Sequence, residues 1–123
     1  VSKILNSKKE IIIWGDGEEK RDFLYVDDLM NFVNLALKKN INNFNLYNCS
    51  YGKSFSVNEI INKMIKLSKK KLSIKYDKSK PSIKSIMSIS SQKAKKELGW
   101  EPKTNIDEGI IKTFKWWNKN IKI

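Results

Sequence analysis

No stretch of apolar residues in this chain exceeds four, the length of Ile11-Ile12-Ile13-Trp14. That limit constrains the fold more than any other feature. A bilayer-spanning helix needs roughly 20 consecutive apolar residues, so no membrane span is expected. What the sequence offers instead is short strands and amphipathic helices, in a chain of 123 residues. Such a length suits one domain, or one part of a larger one, with a modest core.

The elements read in order as follows. Residues 1–9 resemble the tail of a helix that begins upstream. Ile11 to Trp14 is a β-branched run stopped by Gly15-Asp16-Gly17, hence a strand and a turn. Phe23-Leu24-Tyr25-Val26 reads as a second extended piece. Asp27 then offers an N-cap to a helix over 28–39, with Leu29, Phe32, Val33, Ala36 and Leu37 on one face. Residues 44–48 read as a further strand. Ser56 and Glu59, three apart, form a capping box ahead of the stripe Val57, Ile60, Ile61, Met64 and Ile65. Residues 72–76 alternate like a half-buried strand. A short helix over 91–98 stops at Gly99, and Thr104 or Asn105 caps a last helix carrying Ile106, Ile110, Phe114, Trp117 and Ile121. The expected class is α/β. The strands are too few and too short for a self-sufficient doubly wound sheet, so one small mixed lobe over 1–123 is expected, completing something else.

Charge and the rarer residues narrow the chemistry. The net charge of +12 invites a nucleic-acid partner. Base and phosphate readers favour the bidentate guanidinium, yet Arg21 is the single arginine, and the lysines of residues 60–96 read more simply as solvated faces. With no histidine and one cysteine, Cys49, the usual zinc sites, Ser-His and Cys-His pairs and an intrachain disulfide are excluded. Residues 1–10 are mostly polar and carry no signal-peptide core. A cytoplasmic location is expected.

The densest stretch is Trp14-Gly-Asp-Gly-Glu-Glu-Lys-Arg-Asp-Phe-Leu-Tyr-Val-Asp-Asp-Leu29. It resembles the extended short-chain dehydrogenase/reductases that act on nucleotide sugars, which carry Gly-(Asp/Asn)-Gly and then Arg-(Asp/Glu)-(Phe/Tyr)-x-(Tyr/His)-Val-x-Asp. The far end agrees. Ser91-Gln-Lys-Ala-Lys-Lys-Glu-Leu-Gly-Trp-Glu-Pro102 and Ile106-Asp-Glu-Gly-Ile-Ile-Lys-Thr-Phe-Lys-Trp-Trp117 are similar to that family's closing segments. The motifs come nearest to the GDP-L-fucose synthase branch.

The resemblance implies a C-terminal, substrate-binding lobe that closes over a nucleotide-diphosphate sugar. NAD or NADP would sit on an N-terminal Rossmann domain that these residues do not include, so no cofactor is expected on this chain alone. The intact enzyme would be an epimerase, dehydratase or reductase. Arg21 matches an arginine that contacts the diphosphate, a task for which its planar fork suits better than an ammonium. Its competing reading is a surface pair with Asp22 or Glu18. Trp14 matches a position lying against the substrate, although core packing is an equal reading of a strand-terminal tryptophan. Ser79-Lys80-Pro81 matches the substrate loop, which brings in Lys80 and, at the altered position after the proline, Ser82. Met87 falls where many relatives carry a second arginine, leaving Lys80 or Lys84 to compensate.

Other features are assigned structural roles. Asp27 and Asp28 suit the start of a helix better than an acid/base couple. Trp100, Trp116 and Trp117 read as core and closure residues. Tyr76-x-x-x-Lys80 has the spacing of the superfamily's catalytic pair, but Pro81 follows directly and the order along the chain is wrong, so it reads as coincidence. No residue here is expected to be catalytic. A homodimer stays open. Two readings from other classes also stand: a stand-alone, non-catalytic nucleotide-diphosphate-binding or interaction module, and a basic nucleic-acid-binding protein.

Overall fold

Strand β1, Glu10–Trp14, buries Ile11 and Ile13 and leaves Ile12 and Trp14 outward, the alternation expected of a strand with one face on a core. It belongs to a computed structural model that describes residues 1–39, 44–81 and 85–121. Around it the elements follow as α1 (Ser2–Asn6), β2 (Lys20–Asp22), α2 (Val26–Lys39), β3 (Ser54–Ser56), α3 (Val57–Ser68), β4 (Ser73–Asp77), α4 (Gln92–Leu98) and α5 (Ile106–Asn120). The class is mixed α/β, as the sequence predicts. No helix among the described residues is long and apolar enough to cross a membrane.

Two small sheets position everything else. Strand β4 runs parallel to β1, with Ile11 opposite Ile74, Ile13 opposite Tyr76 and Trp14 opposite Asp77. Strands β2 and β3 are antiparallel, with Arg21 opposite Phe55. Beneath β1 and β4, the buried Ile4, Ile11, Ile110 and Phe114 form one core, joined by Ile61, Met64 and Ile65 of α3. A second core gathers Ala94, Leu98 and Trp100, with Phe32 and Ala36 of α2 and with Tyr47 and Cys49. Phe32 meets the Trp100 ring edge-on at 5.3 Å.

Local chemistry explains most boundaries. The Ser56 hydroxyl accepts from Glu59 N–H at 3.0 Å while the Glu59 carboxylate accepts from Ser56 N–H at 2.6 Å, a complete capping box at the start of α3. Helix α4 ends on Gly99 in the left-handed conformation, and Asn105, rather than Thr104, caps α5 through Glu108 N–H at 2.9 Å. The Lys70 ammonium donates to the carbonyls of Leu5 and Ser7 at the C-terminal end of α1.

Several expectations are corrected. The opening helix covers only Ser2–Asn6, because Glu10 already pairs with Ser73 in the parallel ladder. The second strand is Lys20–Asp22, not 23–26; Val26 has joined α2, so Asp27 lies within the first turn and not at the N-cap. Residues 44–48 form no strand. The apolar residues of α2 do not share one face: Phe32 and Ala36 turn inward, while Val33 and Leu37 are exposed. Trp100 is buried as expected, whereas Trp116 is 56% exposed.

Candidate functional site

Trp14 ends β1 with 62% of its surface exposed, which removes the core reading. The register with β4 explains what surrounds it. Gly15 N–H donates to Asp77 O at 2.9 Å, carrying the ladder one residue past Trp14. The Asp77 carboxylate accepts from the Ser79 hydroxyl at 2.6 Å and from Ser79 N–H at 3.1 Å, and Lys80 N–H closes the turn on Asp77 O. The chain therefore doubles back beside the indole, and Lys80 Nζ lies 5.9 Å from the ring centroid. From the other direction Lys3 Nζ also lies 5.9 Å from it, held by Ile12 O at 3.1 Å. An exposed indole flanked by two ammonium groups can stack on a planar or sugar face with positive charge alongside. Sequence reasoning pairs Trp14 with Lys80; it misses Lys3, which lies in no motif.

Arg21 reaches the surface from β2. Its side chain is 47% exposed and its ion pair is with Glu19 at 3.4 Å, neither of the partners the sequence suggests. Asp22 is occupied elsewhere, accepting from Tyr51 N–H at 2.7 Å and Gly52 N–H at 2.9 Å. A single long contact in high dielectric leaves the guanidinium little restrained. Glu19 lines an open cleft of about 440 Å³ together with Lys3, Ile13, Trp14, Val57 and Met64. This cleft connects the surroundings of Arg21 to those of Trp14; no described hydrogen bond or ring contact joins Arg21 directly to Trp14 or Lys80.

The turn between the two strands is clamped by a residue no motif flags. Asn58, in the first turn of α3, donates to Asp16 O at 3.1 Å and to Glu18 Oε1 at 2.7 Å, and accepts the Tyr76 hydroxyl at 2.9 Å. Its own N–H donates to Gly17 O at 3.0 Å. Gly17 has φ of +74°, and a Cβ there would lie 2.2 Å from Asn58 Oδ1, so this glycine serves both the turn and the clamp. Tyr76 is thus on a strand, hydrogen-bonded to Asn58, while Lys80 sits beyond the turn beside Trp14; the Tyr-x-x-x-Lys spacing is not on a helix.

The segment after Ser79-Lys80-Pro81 lies along β2. Lys20 N–H donates to Ser85 O at 2.9 Å, and Met87 N–H donates to Lys20 O at 3.1 Å. Met87 therefore sits beside the strand that carries Arg21, about half exposed. Ser82 and Lys84 lie outside the described residues.

Cys49 is not a nucleophile in waiting. Burial, and then the charges of Asp28 and Asp22, push its thiol from 9.0 to about 11, so it is protonated at neutral pH.

Comparison with known proteins places this arrangement in a class: a C-terminal part of an extended short-chain dehydrogenase/reductase. The chain belongs to the family described as GDP-mannose 4,6 dehydratase, which it matches over residues 1–113. It is 34% identical over 122 residues to a UDP-glucuronate 4-epimerase of Thermodesulfobacterium geofontis, covering 98% of this chain and 37% of that one. Among solved structures it is similar to the UDP-glucose 4-epimerase of Thermotoga maritima with UDP-glucose, at a TM-score of 0.84 and 28% identity over 98% of this chain and 38% of that one. It is also similar to the UDP-glucose 4-epimerase of Bifidobacterium longum in complex with NAD+ and UDP, at a TM-score of 0.81 and 26% identity, over 95% and 37%. The chain thus spans less than two-fifths of the length of these relatives. Both GDP- and UDP-sugar enzymes stand among the matches, so likeness alone does not single out the base.

Proposed function

We propose that this chain is the nucleotide-sugar-binding part of an NAD- or NADP-dependent epimerase, dehydratase or reductase. In this reading Trp14 stacks on the ligand, Lys80 and Lys3 supply positive charge beside it, and Arg21 exchanges its contact with Glu19 for the diphosphate. The observation that carries the reading is the exposed Trp14 between two ammonium groups at the mouth of an apolar-floored cleft. A planar indole, fixed cations and a weakly engaged guanidinium suit a ligand with a flat or sugar face and a doubly charged diphosphate. Hydride transfer is assigned to a dinucleotide-binding domain that these residues do not include. What this chain contributes is recognition: orienting the sugar and neutralising the diphosphate.

The test is a titration of intrinsic tryptophan fluorescence with UDP-, GDP-, dTDP- and CDP-sugars, with Arg21→Lys beside the parent. The expected result is saturable quenching by one nucleotide class. A guanidinium-phosphate contact is worth about 1.5–3 kcal/mol, so Arg21→Lys should weaken binding by roughly ten- to a hundredfold. Quenching that is identical in the parent and in Arg21→Lys would remove Arg21 from the site.

A further inference from the structure

Trp14 and Arg21 stand on different sheets. Trp14 ends β1 and its companion Lys80 follows β4, so both belong to the parallel pair. Arg21 lies on β2, in the antiparallel pair with β3. No ladder among the described residues joins the two sheets. A ligand held at both Trp14 and Arg21 therefore bridges two sheets, and its affinity depends on how firmly their spacing is set.

The two sheets meet at the first turn of α3. This helix continues directly from β3 and starts on the Ser56–Glu59 capping box, so its first residues are fixed to the second sheet. Val57 N–H donates to Glu19 O at 3.1 Å and Asn58 N–H to Gly17 O at 3.0 Å, which fastens the turn after Trp14 to the helix. The Asn58 side chain then crosses to the first sheet, accepting the Tyr76 hydroxyl of β4 at 2.9 Å. Its amide N–H groups are taken up by the turn, at Asp16 O and Glu18 Oε1. Only one orientation of the amide meets all three partners, because the flipped amide would set its oxygen against two acceptors. Tyr76 adjoins Asp77, whose carbonyl closes the turn that brings Lys80 beside Trp14.

We propose that Asn58 is a positioning residue of the binding site. Through Tyr76 on one side and the turn after Trp14 on the other, it fixes the distance between the Trp14–Lys80 half and the Arg21 half. Asn58 need not touch the ligand to act in this way. Its contribution is to hold two weak half-sites at the spacing that lets one molecule engage both, so that the second contact forms at high effective concentration. This role rests on reading the chain as a nucleotide-sugar-binding part in which Trp14 and Arg21 hold the same ligand.

The test is a double-mutant cycle read by titration with UDP-glucose and GDP-mannose, with melting temperatures recorded for every variant. Asn58→Leu should weaken binding of the preferred ligand by on the order of tenfold. Tyr76→Phe removes one arm of the clamp and keeps the ring, so it should fold as the parent does and weaken binding by about threefold. In an Arg21→Ala background there is no second half to position, and both substitutions should then change binding by less than about twofold. Asn62→Leu, exposed one helical turn further on, should change binding in neither background. Equal losses with and without Arg21 would show that Asn58 supports the fold at large, and would overturn the positioning role. So would Asn58→Leu and Tyr76→Phe binding as tightly as the parent while Arg21→Ala weakens it, an outcome that leaves the binding reading intact. Should Asn58→Leu fail to fold, Tyr76→Phe decides by the same comparison. A folded parent that binds neither ligand overturns the binding reading and the positioning role together.

Discussion

Asp27 and Asp28 are neighbours in sequence and end in opposite surroundings. Asp27 is exposed in the first turn of α2. Asp28 is 5% exposed, and its carboxylate accepts from Lys103 N–H at 3.2 Å and Thr104 N–H at 2.9 Å, while its carbonyl takes the Trp100 indole N–H at 3.1 Å. One residue therefore ties the start of α2 to the loop that leads into α5. Removing it strands two backbone donors, each worth about 1–3 kcal/mol when buried without a partner. Asp28→Ala should destabilise the fold by about 3 kcal/mol in urea unfolding, and Asp27→Ala by less than about 1 kcal/mol, the size of an exposed dipole contact. The sequence reveals that this pair is structural but not which member, because the partner loop lies more than seventy residues away. Cys49 gives a second test at this scale. Its thiol ionises near 11 when folded, above the ordinary 9.0, so alkylation of the native chain should reach half its maximal rate near pH 11 and the unfolded chain near pH 9. Folding favours the neutral thiol, so its contribution to stability is whole below pH 9 and is lost as pH rises through about 11.

Elements whose chemistry is local were legible. The Ser56–Glu59 capping box, the Gly99 stop and the stripe of α5 each depend on residues within a turn or two. Ser56→Ala should cost about 1 kcal/mol of stability, measured by thermal unfolding, because α3 loses the reciprocal cap. Elements that depend on distant pairing were not legible. Lys20-Arg21-Asp22 and Ser54-Phe55-Ser56 are mostly polar and three residues long, and only pairing with distant backbone, each other's and at Lys20 that of residues 85–87, makes them strands. Residues 44–48 err in the other direction, carrying the pattern of a strand although no ladder among the described residues includes them. The turn between β1 and β2 combines both cases: its glycines are visible, its clamp is not. Gly17→Ala must abandon a φ of +74° or bear its strain, and must displace Asn58. A destabilisation of about 1–3 kcal/mol is expected, with a visible change in Trp14 fluorescence since the turn begins one residue beyond the indole.

At the scale of the whole molecule, the sequence motifs located the family because they lie at both ends of the chain in order, and the family match over residues 1–113 bears that out. The candidate site was legible as Trp14, Arg21 and Lys80, and the structure brings Trp14 and Lys80 together through the register of two parallel strands. Lys3 was invisible because its place beside Trp14 comes from the packing of α1, not from any pattern along the chain. Four tryptophans in distinct settings make ligand contact at Trp14 directly measurable. Indole N–H signals of nitrogen-labelled chain should be followed during titration with UDP-glucose and with GDP-mannose. The Trp14 signal should move saturably with one of the two, while that of Trp100, its N–H held by Asp28 O, stays in place. A Trp14 signal unmoved by either ligand, in a chain whose Trp100 signal reports an intact fold, would contradict that contact.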